Sequence, residues 1–136
     1  MSDAPRMATL DWIGGERFEG GKPDGPRIRV DGEGKEAPSP VTQLLMAAAA
    51  CTGIDVVMIL QKMQVTLHAF RIELGGRRRD DYPRRFLDLH LVFTLKGDGL
   101  EDHKARRAIE LSITKYCTVI NPLNPDLPIT WDLHLE

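Results

Sequence analysis

Two side chains in this 136-residue chain can become thiolate nucleophiles, Cys51 and Cys117. They stand 66 positions apart (51 to 117), which excludes CxxC redox chemistry. No second Cys/His cluster completes a zinc site, and His68, His90, His103 and His134 show no ligand spacing. No metal or cofactor is therefore expected. A thiol in apolar surroundings resists ionisation and is inert unless something activates it. Cys51 lies in such surroundings, and Asp55, one helical turn on, would oppose thiolate formation. Cys117 lies in the more polar run KYCTV. Taken singly, each cysteine reads as a small core residue. What points to a paired-thiol site is their comparable placement, one on each of two helices that should pack together.

The elements that must hold these thiols follow from periodicity. Ala8 to Ile13 alternates loosely and meets Gly14-Gly15, a turn signal, and Glu16 to Glu19 can return as a partner strand. Arg27 to Val30 is a third short strand, with Arg27 and Arg29 on one side and Ile28 and Val30 on the other. Ser39 then offers an N-cap and Pro40 a first-turn residue. From Val41 to about Met63 the chain is apolar on nearly every face, the mark of a buried helix. Gly53 in its middle costs about 1 kcal/mol against Ala, which suggests the close passage of another backbone.

Ala69 to Leu74 and Phe86 to Lys96 alternate as strands, joined by the charged loop 75–85, GGRRRDDYPRR. Leu100 to about Val119 reads as a second helix, ended by Asn121 to Pro128, and Ile129 to Leu135 as a last strand. The expected class is α+β in the order β-β-β-α-β-β-α-β, a single domain over 1–136. Six modest strands cannot cover so apolar a helix, so a second copy is the expected cover, making a homodimer.

Composition narrows the function classes. Apolar residues make up 42% and charged residues 28%, with 18 basic and 20 acidic side chains and a net charge of −2, so nothing drives the chain globally towards nucleic acid or anionic membrane. The arginines of the 75–85 loop are interleaved with Asp80 and Asp81 and accompanied only by Tyr82, as in a solvated hairpin tip rather than a nucleic-acid site. The longest apolar-rich run, Leu44 to Leu60, is broken by Cys51, Thr52, Gly53 and Asp55, and the first residues lack a signal-peptide pattern. No membrane partner is expected, and the expected location is cytoplasmic.

The segment PVTQLLMAAAACTGIDVVMIL (Pro40 to Leu60) resembles the first central helix of the OsmC/Ohr family, and KYCTV (Lys115 to Val119) resembles its second-cysteine motif. The cysteine separation and the element order also fit, and the C-T-x-I-D-V-V run is more similar to the YhfA-like branch than to the organic hydroperoxide resistance branch. The resemblance implies two central helices per chain wrapped by β-sheets in an intertwined homodimer, with the sites at the interface. It implies a thiol-dependent peroxidase. Cys51 would attack an organic hydroperoxide and become a sulfenic acid, Cys117 would resolve it as a disulfide, and a dithiol would reduce that disulfide.

The family also places an arginine beside the first cysteine, for which Arg29 is the best match and Arg27 the second. A glutamate at the start of the first helix holds that arginine. Here Val41 or Gln43 takes its place, and Gln43 could accept a hydrogen bond from arginine without an ion pair. The greasy walls expected for the substrate are Leu44, Leu45, Met46 and Met58. The missing carboxylate leaves a non-catalytic stress or apolar-ligand-binding protein, with a redox-sensing or vestigial cysteine pair, as the alternative.

Overall fold

A computed structural model describes residues 4–116 and 128–136. The chain forms two compact units, Met1–Leu44 and Leu45–Glu136.

In the first unit, β1 (Thr9–Gly14), β2 (Arg17–Gly21) and β3 (Ile28–Asp31) make an antiparallel sheet in the order β1-β2-β3. Gly14 and Gly15 turn β1 into β2 with φ of 111° and 56°, angles at which a side chain would be strained. Register sorts the side chains by face. Trp12 opposes Phe18, which opposes Val30, and Leu10 and Ile28 flank Gly20. That face is apolar, yet Leu10, Trp12 and Ile28 remain 62%, 67% and 61% exposed, so these three are left largely uncovered by the described residues. The opposite face carries the row Asp11, Glu19 and Arg29.

Helix α1 (Pro40–Lys62) starts as expected: Ser39 Oγ accepts the Thr42 N–H at 3.3 Å, and Pro40 needs no partner for a missing N–H. In the second unit α1 is followed by β4 (Thr66–Arg78), β5 (Phe86–Asp98), α2 (Asp102–Leu111), a π-helical turn (Ser112–Tyr116) and β6 (Ile129–Leu135). The sheet order is β4-β5-β6, with β4 antiparallel and β6 parallel to β5. The inner face of β5 supplies fully buried Leu91, Phe93 and Leu95, which form one core with Val56 and Leu60 of α1 and Ala108 and Ile109 of α2. Phe93 stacks on Phe70 at 6.4 Å between ring centroids and meets Trp131 edge-on at 6.2 Å.

Several expectations need correction. Gly75 and Gly76 were expected in a loop but lie within β4, which runs on to Arg78. A Cβ on Gly76 would stand 2.8 Å from the Asp88 carbonyl oxygen and 2.8 Å from the Phe86 ring, so glycine here answers to close packing and not to a turn. Near Gly53 the closest approach is the Cδ1 of Ile72, 2.9 Å from a Cβ built there, and not another backbone.

Helix α1 is buried on one stripe only: Ala48, Thr52, Gly53, Val56 and Leu60 are covered, while Met46, Ile54 and Met58 are more than half exposed. Met46 and Met58 thus lie on the open side of the helix. The interruptions at Cys51 to Asp55 also leave α1 with a mean hydropathy of 1.9 over 18 residues, long and apolar enough by composition to cross a membrane, because small or weakly polar residues dilute the average little.

Candidate functional site

Cys51 is half-buried at the middle of α1. It packs against the buried Ala48, which Leu74 of β4 and Ile129 of β6 also cover. The helix puts it there by periodicity, since residues three and four apart share a face. The residue thus lies beside a buried small apolar group with a partial opening to solvent. Such a setting suits a nucleophile that must meet a small reactant away from bulk water. Cys117 lies outside the described residues.

The charged residues expected to serve the thiol belong to the first unit, whereas Cys51 belongs to the second. Arg29 directs its guanidinium at Glu19, with Nε 3.4 Å from Oε2. Arg27 bonds Asp11 at 2.6 Å, donates to the Glu19 carbonyl at 3.0 Å and stands 3.8 Å from the other Glu19 carboxylate oxygen. Glu19 is therefore the carboxylate shared by both arginines. Sequence reasoning missed it, because the β2–β3 register that puts Glu19 opposite Arg29 is set across the six-residue loop 22–27, whose length fixes no register by itself.

Gln43 was expected to accept from an arginine side chain. Its amide nitrogen instead donates to the Arg29 carbonyl at 2.7 Å and to the Pro38 carbonyl at 3.1 Å. It fixes the backbone of β3 to the start of α1 and leaves the guanidinium to Glu19. Asp31, just beyond, is 3% exposed and accepts the backbone N–H groups of Glu33 at 2.9 Å, Lys35 at 3.3 Å and Glu36 at 3.0 Å. These bonds, Glu36's foremost, hold its carboxyl below the ordinary carboxylate value despite the opposing effect of burial. The loop between β3 and α1 is thus rigidly anchored.

Two further features surround Cys51. Asp55, one turn on, accepts a hydrogen bond from Ser112 Oγ at 2.8 Å and so is tied to the end of α2. The Thr52 hydroxyl is buried and has no hydrogen-bond partner among the described residues. Beside the stripe, an apolar groove of about 450 Å³ runs between α1 and β4, lined by Ala49, Gly53, Ile54, Met58, Phe70 and Ile72. Of the four walls expected from sequence, Leu44, Leu45, Met46 and Met58, only Met58 lines it.

The remaining polar clusters lie on the outer face of the second unit's sheet. Arg77 donates to the Asp88 carboxylate at 2.9 Å, which lowers the acid and raises the base from their ordinary values. His90 bonds Thr130 at 2.6 Å and Asp132 at 2.9 Å, and both it and His134 are exposed. No cluster of three or more metal-ligating side chains occurs among the described residues.

Comparison with known proteins bears on the family and the fold. Protein YhfA of Escherichia coli K12 is 40% identical over 125 residues, covering 91% of this chain and 93% of its own length. An OsmC-like protein from Mycoplasma pneumoniae superposes with a TM-score of 0.81 at 15% identity, covering 98% of this chain and 99% of that one. The organic hydroperoxide resistance protein OhrB of Bacillus subtilis has the same fold at a TM-score of 0.59 and 15% identity, covering 99% and 100% of the two chains. Residues 32–132 match the family described as OsmC-like protein, and the chain belongs to that family.

Proposed function

We propose that this protein is a thiol-dependent peroxidase for organic hydroperoxides and that it works as a cytoplasmic homodimer. The observation that carries the reading is the seat of Cys51: half-buried in the middle of α1 and packed against the buried Ala48, in a chain of this family. The Cys51 thiolate attacks the outer peroxide oxygen, the O–O bond breaks, and the alkoxide leaves and takes up a proton as the alcohol. The sulfenic acid then reacts with the Cys117 thiol, giving a disulfide and water, and an external dithiol returns both cysteines to thiols. Arg29, braced by Glu19 and by Gln43 on its own backbone, is the cation proposed to favour the thiolate.

The dimer is supported by two exposed apolar surfaces, each on its own unit. One is the sheet face of Leu10, Trp12 and Ile28, and the other is the open side of α1 with Ile54 and Met58. Exposed apolar area on this scale marks association. Asp55 in the middle of α1 favours a helix–protein interface over a membrane span.

The test is consumption of cumene hydroperoxide by the purified protein with a dithiol donor. The wild type is expected to turn over and Cys51→Ser to be inactive; turnover by the mutant at the normal rate would refute the assignment. A second reading, an apolar-ligand-binding protein without turnover, is favoured by the groove beside α1, whose volume of about 450 Å³ lies in the range of small-molecule sites. An apolar ligand retained through purification by a chain without peroxide turnover would select it.

A further inference from the structure

The outer face of the second unit's sheet holds a hydrogen-bonded chain that the thiol chemistry does not use. Strands β5 and β6 run parallel, with His90 opposite Thr130 and Val92 opposite Asp132. Residues two apart on a strand share a face, so Thr130 and Asp132 both stand on the side of His90. The His90 ring lies between them, with Nδ1 2.6 Å from Thr130 Oγ1 and Nε2 2.9 Å from Asp132 Oδ2. When the imidazole is neutral, these donors and acceptors have one consistent order. An ionised carboxylate only accepts, so Nε2 carries the ring proton towards Asp132. Nδ1 is then a bare acceptor, and the Thr130 hydroxyl donates to it. A hydroxyl bonded to an imidazole that a carboxylate orients from its far side is an activated nucleophile. All three residues are exposed, so a reactant can reach them.

Beside this chain the sheet is hollow. Gly75 faces His90 across the β4–β5 ladder. Glycine weakens a strand, and the close approach of a ligand is one recurrent reason for keeping it there. Gly75 has no positive φ, and no heavy atom beyond its chain neighbours lies within 4 Å of where its Cβ would stand. Neither a turn nor packing therefore calls for it. Its missing side chain instead leaves open the floor next to His90, in a groove of about 400 Å³ lined by Gly75, Gly76, Arg77, Asp88, His90 and Thr130 together with Pro128. Arg77 adds a cation to the wall, with Nε and Nη2 given to Asp88 and Nη1 without a partner among the described residues.

We propose that this groove is a second reactive site, one that cleaves small esters carrying a negative charge. Thr130 is its nucleophile, His90 the general base, Asp132 the residue that positions the imidazole, and Arg77 the contact for the substrate's anionic group. The Thr130 oxygen adds to the ester carbonyl carbon while His90 Nδ1 takes its proton. The bond to the leaving oxygen breaks, and that oxygen receives the proton from His90. Water then attacks the acyl-Thr130 ester and gives a proton to Nδ1, which returns it to the Thr130 oxygen as the carboxylic acid leaves. No electrons are transferred and no thiol takes part, so the inference stands apart from the peroxidase reading.

The probe is 4-acetoxybenzoate, an anionic aryl acetate, with phenyl acetate as its neutral counterpart. Release of the phenol is followed by absorbance. Acetyl groups are mapped by mass spectrometry after digestion in acid, which separates acetyl on Thr130 from acetyl on cysteine or lysine. The wild type is expected to form acetyl-Thr130, about tenfold faster with the anionic ester, since a hydrogen bond to a charged group is worth about that factor. His90→Gln keeps a polar side chain but has no base, and should slow acetylation about 100-fold or more. Thr130→Ser should still react and Thr130→Val should not. Asp132→Asn should lower the rate at saturating ester about tenfold or more with the half-saturating concentration unchanged, a split that a loss of binding would not produce.

Gly75→Val fills the hollow and leaves the three polar residues unaltered. It should raise the half-saturating concentration, while the urea midpoint is kept or raised because valine suits a strand. Should His90→Gln fail to fold, Asp132→Asn and Gly75→Val carry the test. Absence of acetyl-Thr130 from the wild type, acetylation undiminished in His90→Gln, or an unaltered reaction in Gly75→Val would each overturn the proposal. Equal rates for the two esters would overturn the part given to Arg77.

Discussion

Replacing Gly53 by alanine tests how α1 meets β4, because two effects of similar size oppose each other there. Alanine within a helix is worth about 1 kcal/mol over glycine. Against this, the new methyl would stand 2.9 Å from Ile72 Cδ1, closer than real contacts allow. Overpacking a tight core costs about 1–3 kcal/mol. Here the clashing atom is the end of an isoleucine that itself lines the open groove of about 450 Å³, so it can rotate aside.

The propensity gain should therefore prevail or nearly cancel, and Gly53→Ala is expected to be stabilising by about 0–1 kcal/mol in urea unfolding at fixed protein concentration. A cycle with Ile72→Val sharpens the point. Alone, that change costs about 0.5–1.5 kcal/mol. With alanine at position 53 it should cost about 0.5 kcal/mol less, because it removes the clashing Cδ1. Loss of about 2 kcal/mol or more in Gly53→Ala, with no coupling to Ile72, would refute the reasoning and restore a close backbone as the reason for the glycine.

Three other outcomes are expected. The Asp31 carboxyl is held below its ordinary value, so the stability it contributes is complete above the unfolded carboxylate value of about 3.9 and is lost as pH falls through the lower folded value. Asp31→Asn should accordingly flatten the acid limb of the stability profile between about pH 4 and pH 2, as read from urea midpoints across that range. Thr52→Val removes a buried hydroxyl without a partner among the described residues and should be neutral or stabilising by about 1 kcal/mol; a loss of stability would reveal a partner for it. Cys51→Ser should abolish peroxide consumption while leaving the urea midpoint nearly unchanged, since a hydroxyl replaces the thiol at a half-buried position.

The parts legible in sequence are those that periodicity or turn chemistry encodes locally. The order of six strands and two helices, the Ser39–Pro40 start of α1 and the charged outer side of Arg27 and Arg29 all follow from patterns a few residues long. Gly76 was misread because a close packing contact and a turn demand the same residue type, whereas its neighbour Gly75 has open space about it. Only Asp88 and Phe86, brought opposite by the hairpin, distinguish the two. Likewise Gly53 signals tight contact without saying whether a backbone or a side chain makes it.

The candidate site was less legible for the same reason. Residue type shows that Cys51 can be a nucleophile and that an arginine can favour its thiolate. It does not show that Glu19 is shared between Arg27 and Arg29, which needs strand register, or that Gln43 serves the Arg29 backbone and not its guanidinium. Least visible was Ser112, a small polar residue in an otherwise apolar half-helix, whose partner Asp55 is remote in sequence.

That last pair also resolves the puzzle of Asp55. A carboxylate one turn from a nucleophilic cysteine works against its ionisation, so it would be a poor neighbour if electrostatics were its only effect. Bound to Ser112, it instead ties α1 to the point where α2 changes pitch, while the opposing cation on the same reading comes from the arginines on β3. The site then divides its tasks. On the proposed function, charge favouring the thiolate would be supplied by Arg29 on β3, while the Asp55–Ser112 hydrogen bond, made to a fully buried serine, ties α1 to the end of α2. Under this division, raising ionic strength should weaken thiolate formation before it loosens the tie between α1 and α2, because screening reaches exposed pairs such as Arg29–Glu19 far more than a contact to the fully buried Ser112.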